Sequence, residues 1–226
     1  MGQAGSMSDP AACLFDLDGL LLDTEPLHAR AWREAAARFG ADLNGDQLLA
    51  LRGRRRLDCT LLVLDWILEA SGRELTAEQL LAVRQPIAEA LLPEAAPMPG
   101  AIQLIERCHT EGIPMALATS SSRNAVALKA RPHPWIGLIQ TRVHGDDPEL
   151  VAGKPAPDVF LLAASRLGVA ANQCWAFEDS PAGARSAAAA GCRVHVLVPP
   201  GLGAGDYPEG VQLLDSLEQV ELSRAC

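Results

Sequence analysis

The second half of the chain alternates short apolar segments with longer amphipathic ones. Apolar runs at 113–118, 174–177 and 193–198 predict buried strands, and an irregular stretch contains a short strand near 138–143. Helical spacing of apolar residues predicts helices at 101–111, 122–130, 157–167 and 181–190. Fully apolar strands that alternate with helices are typical of a parallel sheet covered on both faces. The pattern therefore predicts a doubly wound, Rossmann-like α/β core.

The first half begins with a predicted strand at 12–18 and then shows only helical periodicity. The later helical segments of this block are predicted at 45–52, 57–71 and 76–92. A long helical block directly after a first strand indicates an inserted subdomain. We expect residues 8–23 and 97–226 to form the core, and residues 24–96 to form a helical cap.

Local signals mark some of the boundaries. Thr24 fits the cap of the first helix, and Thr76 with Gln79 fits a capping box. Residues 199–210 are rich in proline and glycine and indicate a flexible connection. The tail at 211–222 is predicted to add a strand and a short helix.

The composition narrows the classes of partner. The chain has 226 residues, of which 49% are hydrophobic, and a formal net charge of −9. An acidic balance argues against nucleic acid or an anionic membrane as the main partner, and no apolar run approaches the roughly 18 residues of a membrane span. The six cysteines are widely spaced without a C-x-x-C motif, which is typical of reduced thiols in the cytoplasm. We therefore expect a cytoplasmic protein with no nucleic-acid or membrane partner, and we expect a monomer.

Polar residues cluster where the predicted strands end. Asp16 and Asp18 come at the end of the first strand, while the segment 119–121 and the pair Glu178 and Asp179 each follow a later strand. Ligands of parallel α/β folds bind at the carboxyl ends of the strands. A carboxylate pair at the end of a buried strand is unfavourable unless its charge is compensated. We expect a divalent cation to compensate it.

A lysine could also neutralise charge here, and the chain has only two, Lys129 and Lys154. Lys154 lies between Gly153 and Pro155, which favours a functional role over that of a solvated surface lysine. Lys129 falls in an ordinary helical pattern and is expected on the surface.

These motifs resemble one family in their kind and in their order. The family is the haloacid dehalogenase superfamily of phosphotransferases, and the resemblance covers residues 12–198. It rests on Asp16-x-Asp18-Gly19, on Thr119 after an apolar strand, on Lys154, and on Glu178-Asp179-Ser180-x-x-Gly183. The helical insertion resembles the subclass with a helical cap, which includes β-phosphoglucomutase and small sugar phosphatases.

The resemblance implies a role for each residue of the core motifs. Asp16 would be the nucleophile that forms an aspartyl-phosphate. Asp18 would be the general acid that protonates the leaving oxygen and later activates water. Lys154 would pair with Asp16 and the phosphoryl oxygens. The segment of Thr119, Ser120 and Ser121 would donate hydrogen bonds to the phosphate, although such clusters also cap helices.

The resemblance further implies a Mg²⁺ ion as the cofactor. Its ligands would be Asp16, Asp179 and the backbone carbonyl of Asp18, with Glu178 as a further ligand. The pair Glu178 and Asp179 would also suit the N-terminus of the helix that follows it, where negative charge is favoured.

Two residues of the helical block are candidates for substrate binding. Arg56, in the basic run 52–56, lies near the place where the mutase has a phosphate-contacting arginine, and His28 matches a histidine at the hinge of its cap. A solvated basic face and a partly exposed helix histidine remain alternatives for these residues.

Particular residues also distinguish among the reactions that members of the superfamily catalyse. Asp18 argues against dehalogenation, which needs no general acid. Residues 24–96 contain no lysine, which argues against the imine chemistry of phosphonate hydrolysis and weakens the mutase interpretation. We therefore predict a Mg²⁺-dependent phosphatase of a small phosphorylated metabolite, with a sugar phosphate favoured. A sugar phosphomutase and a non-catalytic phospho-metabolite binder remain the alternatives.

Overall fold

A computed structural model describes residues 9–51 and 56–222 of the chain. The chain divides into two compact units, Met1–Leu22 with Pro97–Cys226 and, separately, Asp23–Ala96. The first unit carries the sheet, and the second is built mainly from helices. Within the described ranges, none of the helices is both long and apolar enough to cross a membrane.

The sheet of the first unit has six strands, all parallel, in the order β5-β4-β1-β6-β7-β8. A separate two-stranded sheet, β2 with β3, was not predicted. The strands are β1 (Ala12–Phe15), β2 (Leu22–Asp23), β3 (Ala96–Pro97), β4 (Met115–Ala118), β5 (Thr141–Val143), β6 (Cys174–Glu178), β7 (Arg193–Leu197) and β8 (Gln212–Leu214).

The helices follow the predicted segments closely. They are α1 (Glu25–Arg38), α2 (Gly45–Leu51), α3 (Arg56–Ser71), α4 (Ala77–Leu91), α5 (Ala101–Thr110), α6 (Arg123–Ala130), α7 (Asp158–Leu167) and α8 (Pro181–Ala189). With the six parallel strands they confirm the predicted doubly wound α/β core. The tail adds β8 and a 3₁₀ turn at Leu217–Gln219, as the sequence predicts.

The first strand is shorter than the predicted 12–18 because the chain turns sharply after Phe15. The backbone N–H groups of Leu21 and Leu22 both donate to the Leu17 carbonyl at 3.0 Å. Gly19 has a φ of +82°, a conformation that glycine adopts without a steric penalty. Asp16 and Asp18 therefore lie in a turn at the carboxyl end of β1.

The register of the sheet brings the ends of three strands to one level. Phe15, the last residue of β1, pairs with Leu117 of β4 on one side and with Phe177 of β6 on the other. The chain adds β4 and β5 on one side of β1 and then returns to add β6 on the other side. Such a reversal opens a crevice at the carboxyl ends of the strands, which is where ligands bind in this class of fold.

The helical unit has its own apolar core. Trp32 of α1, Ile67 of α3 and Leu80 of α4 are among its buried members. The predicted capping box at the start of α4 is confirmed, because the Thr76 hydroxyl accepts from the Gln79 N–H at 3.3 Å while the Gln79 side chain accepts from the Thr76 N–H at 2.9 Å.

The predicted cap of α1 is wrong in one respect. Thr24 occupies the N-cap position, but its side chain makes no capping hydrogen bond, since its backbone is already in the helical region (φ −95°, ψ −11°). Its hydroxyl is buried and has no hydrogen-bond partner among the described residues.

Strand β7 carries a buried histidine. His195 of β7 is 2% exposed and stacks on Phe177, with ring centroids 4.9 Å apart. Neither ring nitrogen has a hydrogen-bond partner in the part of the chain that the structure describes. Burial, with a smaller contribution from Arg193, lowers the pKa of His195 to about 4. The imidazole is therefore neutral in the folded protein at physiological pH.

We expect His195 to make the folded protein sensitive to mild acid. Its pKa is about 4 when folded and about 6.5 when unfolded, so the unfolded chain binds the extra proton first. Its stabilising contribution is complete above pH 6.5 and is lost as the pH falls towards 4, by about 3 kcal/mol in total. His195→Phe should remove that part of the pH dependence when the free energy of unfolding in urea is measured at pH 7.5 and pH 5.

The exposed His109 provides the control for this prediction. His109→Gln should leave the pH dependence of the wild type unchanged. If His195→Phe lost as much stability between pH 7.5 and pH 5 as the wild type, the buried histidine would not be the cause.

The cysteines in the described ranges are all buried and form no disulfide. They are Cys13, Cys59, Cys108, Cys174 and Cys192. Cys226 lies outside the described residues.

Candidate active site

The centre of the site is a buried ion pair at the end of β1. The Lys154 Nζ atom is 2.5 Å from Asp16 Oδ1 and also 2.5 Å from Glu178 Oε1. The Lys154 side chain is only 6% exposed, and the Glu178 side chain is fully buried. The structure therefore brings together the predicted nucleophile, the predicted lysine and the carboxylate that ends β6.

When both carboxylates are ionised, these three groups carry one uncompensated negative charge, since two carboxylates face one ammonium. Burial raises the pKa of the Asp16 carboxyl to about 7, against the opposing attraction of Lys154. Burial alone would lower the pKa of Lys154, but the attraction of Asp16 and Glu178 outweighs it and raises that pKa. A further cation beside Asp16 would favour its ionised, nucleophilic form.

Both carboxylate oxygens of Glu178 have partners, since Oε1 contacts Lys154 and Oε2 accepts hydrogen bonds. Its Oε2 atom accepts from the backbone N–H groups of Asp179 and Ser180 at 3.2 and 3.3 Å and from the Ser180 hydroxyl at 3.1 Å. The same hydroxyl caps α8 by accepting from the Gly183 N–H at 3.0 Å. A Cβ atom at Gly183 would lie 1.9 Å from Glu178 Oε1, so only glycine leaves room for the carboxylate.

Asp179 follows β6 and is packed closely against the turn after β1. A Cβ atom at Gly19 would lie 2.1 Å from Asp179 Oδ2. The Tyr207 hydroxyl donates to the Asp179 carbonyl at 2.8 Å, and Tyr207 is buried. This contact anchors the loop at 199–210, which the sequence indicated only as a flexible connection.

The acidic residues of this site fit a divalent cation. Asp16, Glu178 and Asp179 each offer a carboxylate oxygen, and these oxygens all lie within 4.8 Å of one another. Oxygen-only donors of this kind suit hard cations. Asp16 and Asp179 are the stronger candidates for ligands, because Lys154, Ser180 and backbone N–H groups already bind the Glu178 oxygens.

Asp18 lies on the other side of the turn and meets a residue that the sequence did not assign to the site. The Lys129 Nζ atom is 2.5 Å from both carboxylate oxygens of Asp18 and 2.8 Å from the Ser121 hydroxyl. The expectation that Lys129 lies on the surface is wrong, because it is 1% exposed. Lys129 and Val126 share the buried face of α6, and a charged residue on an apolar face was the signal that could have revealed it.

The segment after β4 is ordered by its own hydrogen bonds. The Thr119 hydroxyl accepts from the Ser121 N–H at 3.1 Å, and the Ser121 hydroxyl donates to Asp18 Oδ2 at 2.7 Å. Thr119 is buried, whereas Ser120 is exposed. A Cβ atom at Gly145 would lie 2.1 Å from the Ser120 carbonyl oxygen, so the loop after β5 packs directly on this segment.

Comparison with known proteins identifies the family of the chain. Residues 10–191 match the family of haloacid dehalogenase-like hydrolases. The chain belongs to this family. Relatives that are more than 30% identical to this hydrolase over almost its full length are phosphatases, and the chain is accordingly a phosphoric monoester hydrolase.

Two curated relatives and one solved structure give the range of similarity. The (DL)-glycerol-3-phosphatase 2 of Arabidopsis thaliana is 34% identical over 227 residues, with 93% of each chain covered. Hexitol phosphatase A of Escherichia coli is 35% identical over 216 residues, again with 93% of each chain covered. A HAD family hydrolase from Deinococcus radiodurans, solved with bound phosphate and sodium, is 27% identical with a TM-score of 0.75 and 93% of each chain covered.

The helical unit of the hydrolase carries the remaining predicted residues. Arg56, the first residue of α3, is exposed, and the rest of its basic run at 52–55 lies outside the described residues. The His28 Nδ1 atom of α1 is 3.1 Å from Nη2 of Arg84 in α4. Substrate contacts of Arg56 and His28 stay predictions.

Arg84 is the residue of the helical unit that sequence analysis missed. It is 7% exposed, its guanidinium lies 4.7 Å from the centroid of the Trp32 ring, and its Nε atom has no hydrogen-bond partner among the described residues. Burial and the nearby charge of Arg56 lower its pKa. Arg84 shares the buried face of α4 with Leu80 and Ala88, which was the available sequence signal.

Proposed function

We propose that this hydrolase is a Mg²⁺-dependent phosphatase that hydrolyses small sugar or polyol phosphates through an aspartyl-phosphate on Asp16. The observation that carries the proposal is the pairing of Asp16 with Lys154 at 2.5 Å inside a group of carboxylates that fits a cation. A carboxylate attacks an anionic phosphate ester only when positive charge neutralises the phosphoryl oxygens.

Asp16 would attack the phosphorus in the first half-reaction, and the bond between phosphorus and the leaving oxygen would break. The bound Mg²⁺, held by Asp16, Asp179 and the carbonyl of Asp18 with Glu178 as a further candidate, would supply positive charge at the phosphoryl oxygens. Lys154 supplies a second positive charge next to Asp16. Thr119, Ser120 and Ser121 follow β4 at the same edge of the sheet and would bind the phosphate.

Asp18 would handle the protons of both half-reactions. It lies two residues after the nucleophile, and its side chain is 25% exposed while those of Asp16 and Lys154 are 9% and 6% exposed. A general acid must reach the leaving oxygen, and a general base must reach the attacking water. The more open position of Asp18 supports this role over that of nucleophile.

The proposed substrate class rests on the substrates for which the relatives are named. The relatives include enzymes named for glycerol 3-phosphate and for hexitol phosphates, which are small phosphorylated polyols. Arg56 and His28 are proposed to contact such a substrate from the helical unit. The acidic balance of the chain and the burial of its described cysteines without disulfides support the proposal that the enzyme works in the cytoplasm, and we propose that it is a monomer.

A panel of phosphorylated metabolites tests the proposal. The purified enzyme with Mg²⁺ should release inorganic phosphate from one or more small sugar or polyol phosphates, with kcat/KM of at least about 10⁴ M⁻¹s⁻¹ for the best substrate. The same panel with Asp16→Asn provides the background.

Two outcomes would contradict the proposal. Chromatography would identify a phosphomutase instead if it showed that β-glucose 1-phosphate is converted to glucose 6-phosphate without phosphate release. Saturable binding of a metabolite without any turnover would identify a binding protein.

A further inference from the structure

Lys129 is a buried lysine whose ammonium group contacts the Asp18 carboxylate and the Ser121 hydroxyl. It lies 2.5 Å from both oxygens of Asp18 and 2.8 Å from the Ser121 hydroxyl, which itself donates to Asp18 at 2.7 Å. The Lys129 side chain is 2% exposed, whereas the Asp18 side chain is 25% exposed. The contacts with Lys129 and Ser121 thus fix the Asp18 carboxylate, which stays partly exposed to solvent.

Such a lysine is not explained by stability alone. A buried ion pair contributes little net stability, because removing the charges from water offsets their attraction, and an apolar residue of similar size often serves the fold as well. The chain has two lysines, and each of them contacts one of the two aspartates at the end of β1. This pairing of one lysine with each aspartate indicates that Lys129, like Lys154, serves the reaction.

We infer that Lys129 is a positioning residue that holds Asp18 as an oriented carboxylate for the attack of water. This inference rests on the proposed function, in which Asp18 is the base. The Lys129 ammonium donates to both Asp18 oxygens and to the Ser121 hydroxyl, and these contacts fix the direction in which the Asp18 carboxylate points. The attacking water must lie in that direction for Asp18 to accept its proton.

The step served by Lys129 is hydrolysis of the aspartyl-phosphate. The oxygen of water attacks phosphorus, the bond between phosphorus and the Asp16 oxygen breaks, and its electron pair returns to the Asp16 carboxylate. The proton lost by water passes to the Asp18 carboxylate. Inorganic phosphate is released, and the Lys129 ammonium keeps its proton throughout.

Lys129→Met tests this role with 4-nitrophenyl phosphate, whose leaving group needs no general acid. Formation of the aspartyl-phosphate should then be nearly unaffected, so kcat/KM should change less than about threefold. Hydrolysis of the intermediate should slow, so kcat should fall about 100-fold and KM should fall with it. Stopped-flow measurements should show a burst of about one equivalent of 4-nitrophenol per enzyme.

Ala127→Met on the exposed side of α6 is the matched control and should behave as the wild type. A purely structural role of Lys129 would instead lower kcat and kcat/KM by the same factor with KM unchanged, and that result would overturn the inference alone. A wild type without turnover of any phosphate ester would overturn the proposed function, and the inference with it.

Two further variants keep the test decisive if Lys129→Met does not fold. Asp18→Asn with Lys129→Met removes both charges together, and its kcat should equal that of Asp18→Asn within about twofold, because Lys129 acts through Asp18. An additional loss of tenfold or more would overturn the inference. Lys129→Arg keeps the positive charge and should recover part of the kcat that Lys129→Met loses.

Discussion

Asp16→Asn is expected to abolish phosphate release from every substrate, by a factor of at least about 10⁴. The asparagine side chain cannot form the aspartyl-phosphate, and Lys154 then has Glu178 as its remaining carboxylate partner. Phosphate release and, with a ³²P-labelled substrate, trapping of the phosphorylated enzyme after acid quench measure the effect. Both signals should be absent from the variant.

The same substitution should not weaken the fold. In the wild type, Asp16 brings a second carboxylate to a buried lysine, and burial raises its pKa. A neutral side chain leaves Lys154 and Glu178 as a balanced pair, so the free energy of unfolding in metal-free buffer should be unchanged or higher. Asp215→Asn, at an exposed position after β8, is the control and should retain full activity. Measurable turnover by Asp16→Asn would exclude Asp16 as the nucleophile.

Removal of divalent metal is expected to inactivate the enzyme, with a loss of at least about 10³-fold in kcat. Without the ion, the carboxylates of Asp16, Glu178 and Asp179 would repel both one another and the substrate phosphate. Activity should disappear in EDTA and return when Mg²⁺ is added in excess. Mg²⁺ should also raise the melting temperature of the metal-free protein, because an ion that binds only the folded state stabilises it.

Asp179→Asn separates a bound ion from a nonspecific effect of EDTA. This variant should need a higher Mg²⁺ concentration for half-maximal activity, while Asp215→Asn should show the wild-type requirement. EDTA already saturated with Mg²⁺ should have no effect on the wild type. Full activity in EDTA, together with a melting temperature that does not respond to Mg²⁺, would rule out the metal site.

The parts of the site that the sequence predicted are those that depend on strand ends. An apolar strand followed by acidic or hydroxyl residues is visible in the sequence, and parallel pairing brings all carboxyl ends to one edge. The sequence therefore predicts Asp16, Thr119 and Glu178 at the same edge, and the register of Phe15 with Leu117 and Phe177 explains why they meet.

Most of the residues that the sequence missed or misjudged act across elements. Lys129 and Arg84 lie on the buried faces of α6 and α4, and helical periodicity identifies a buried face without naming the group that it meets. Tyr207 lies in a loop rich in glycine, where no periodicity indicates that its hydroxyl reaches the Asp179 carbonyl. Thr24 is of a residue type that often caps helices, but its helical backbone angles leave its side chain without a capping hydrogen bond.

The sequence by itself determined the order of strands and helices and the helical block after the first strand, because these follow from local periodicity. Through the family resemblance of its motifs it also predicted Asp16 as the nucleophile. The resemblance already implied that Lys154 pairs with Asp16, but only the tertiary structure showed that Lys129 contacts Asp18. Lys154 and Lys129 are 138 and 111 residues from the aspartates that they bind. Contacts over such distances depend on how the helices pack against the sheet, and no local pattern encodes that packing.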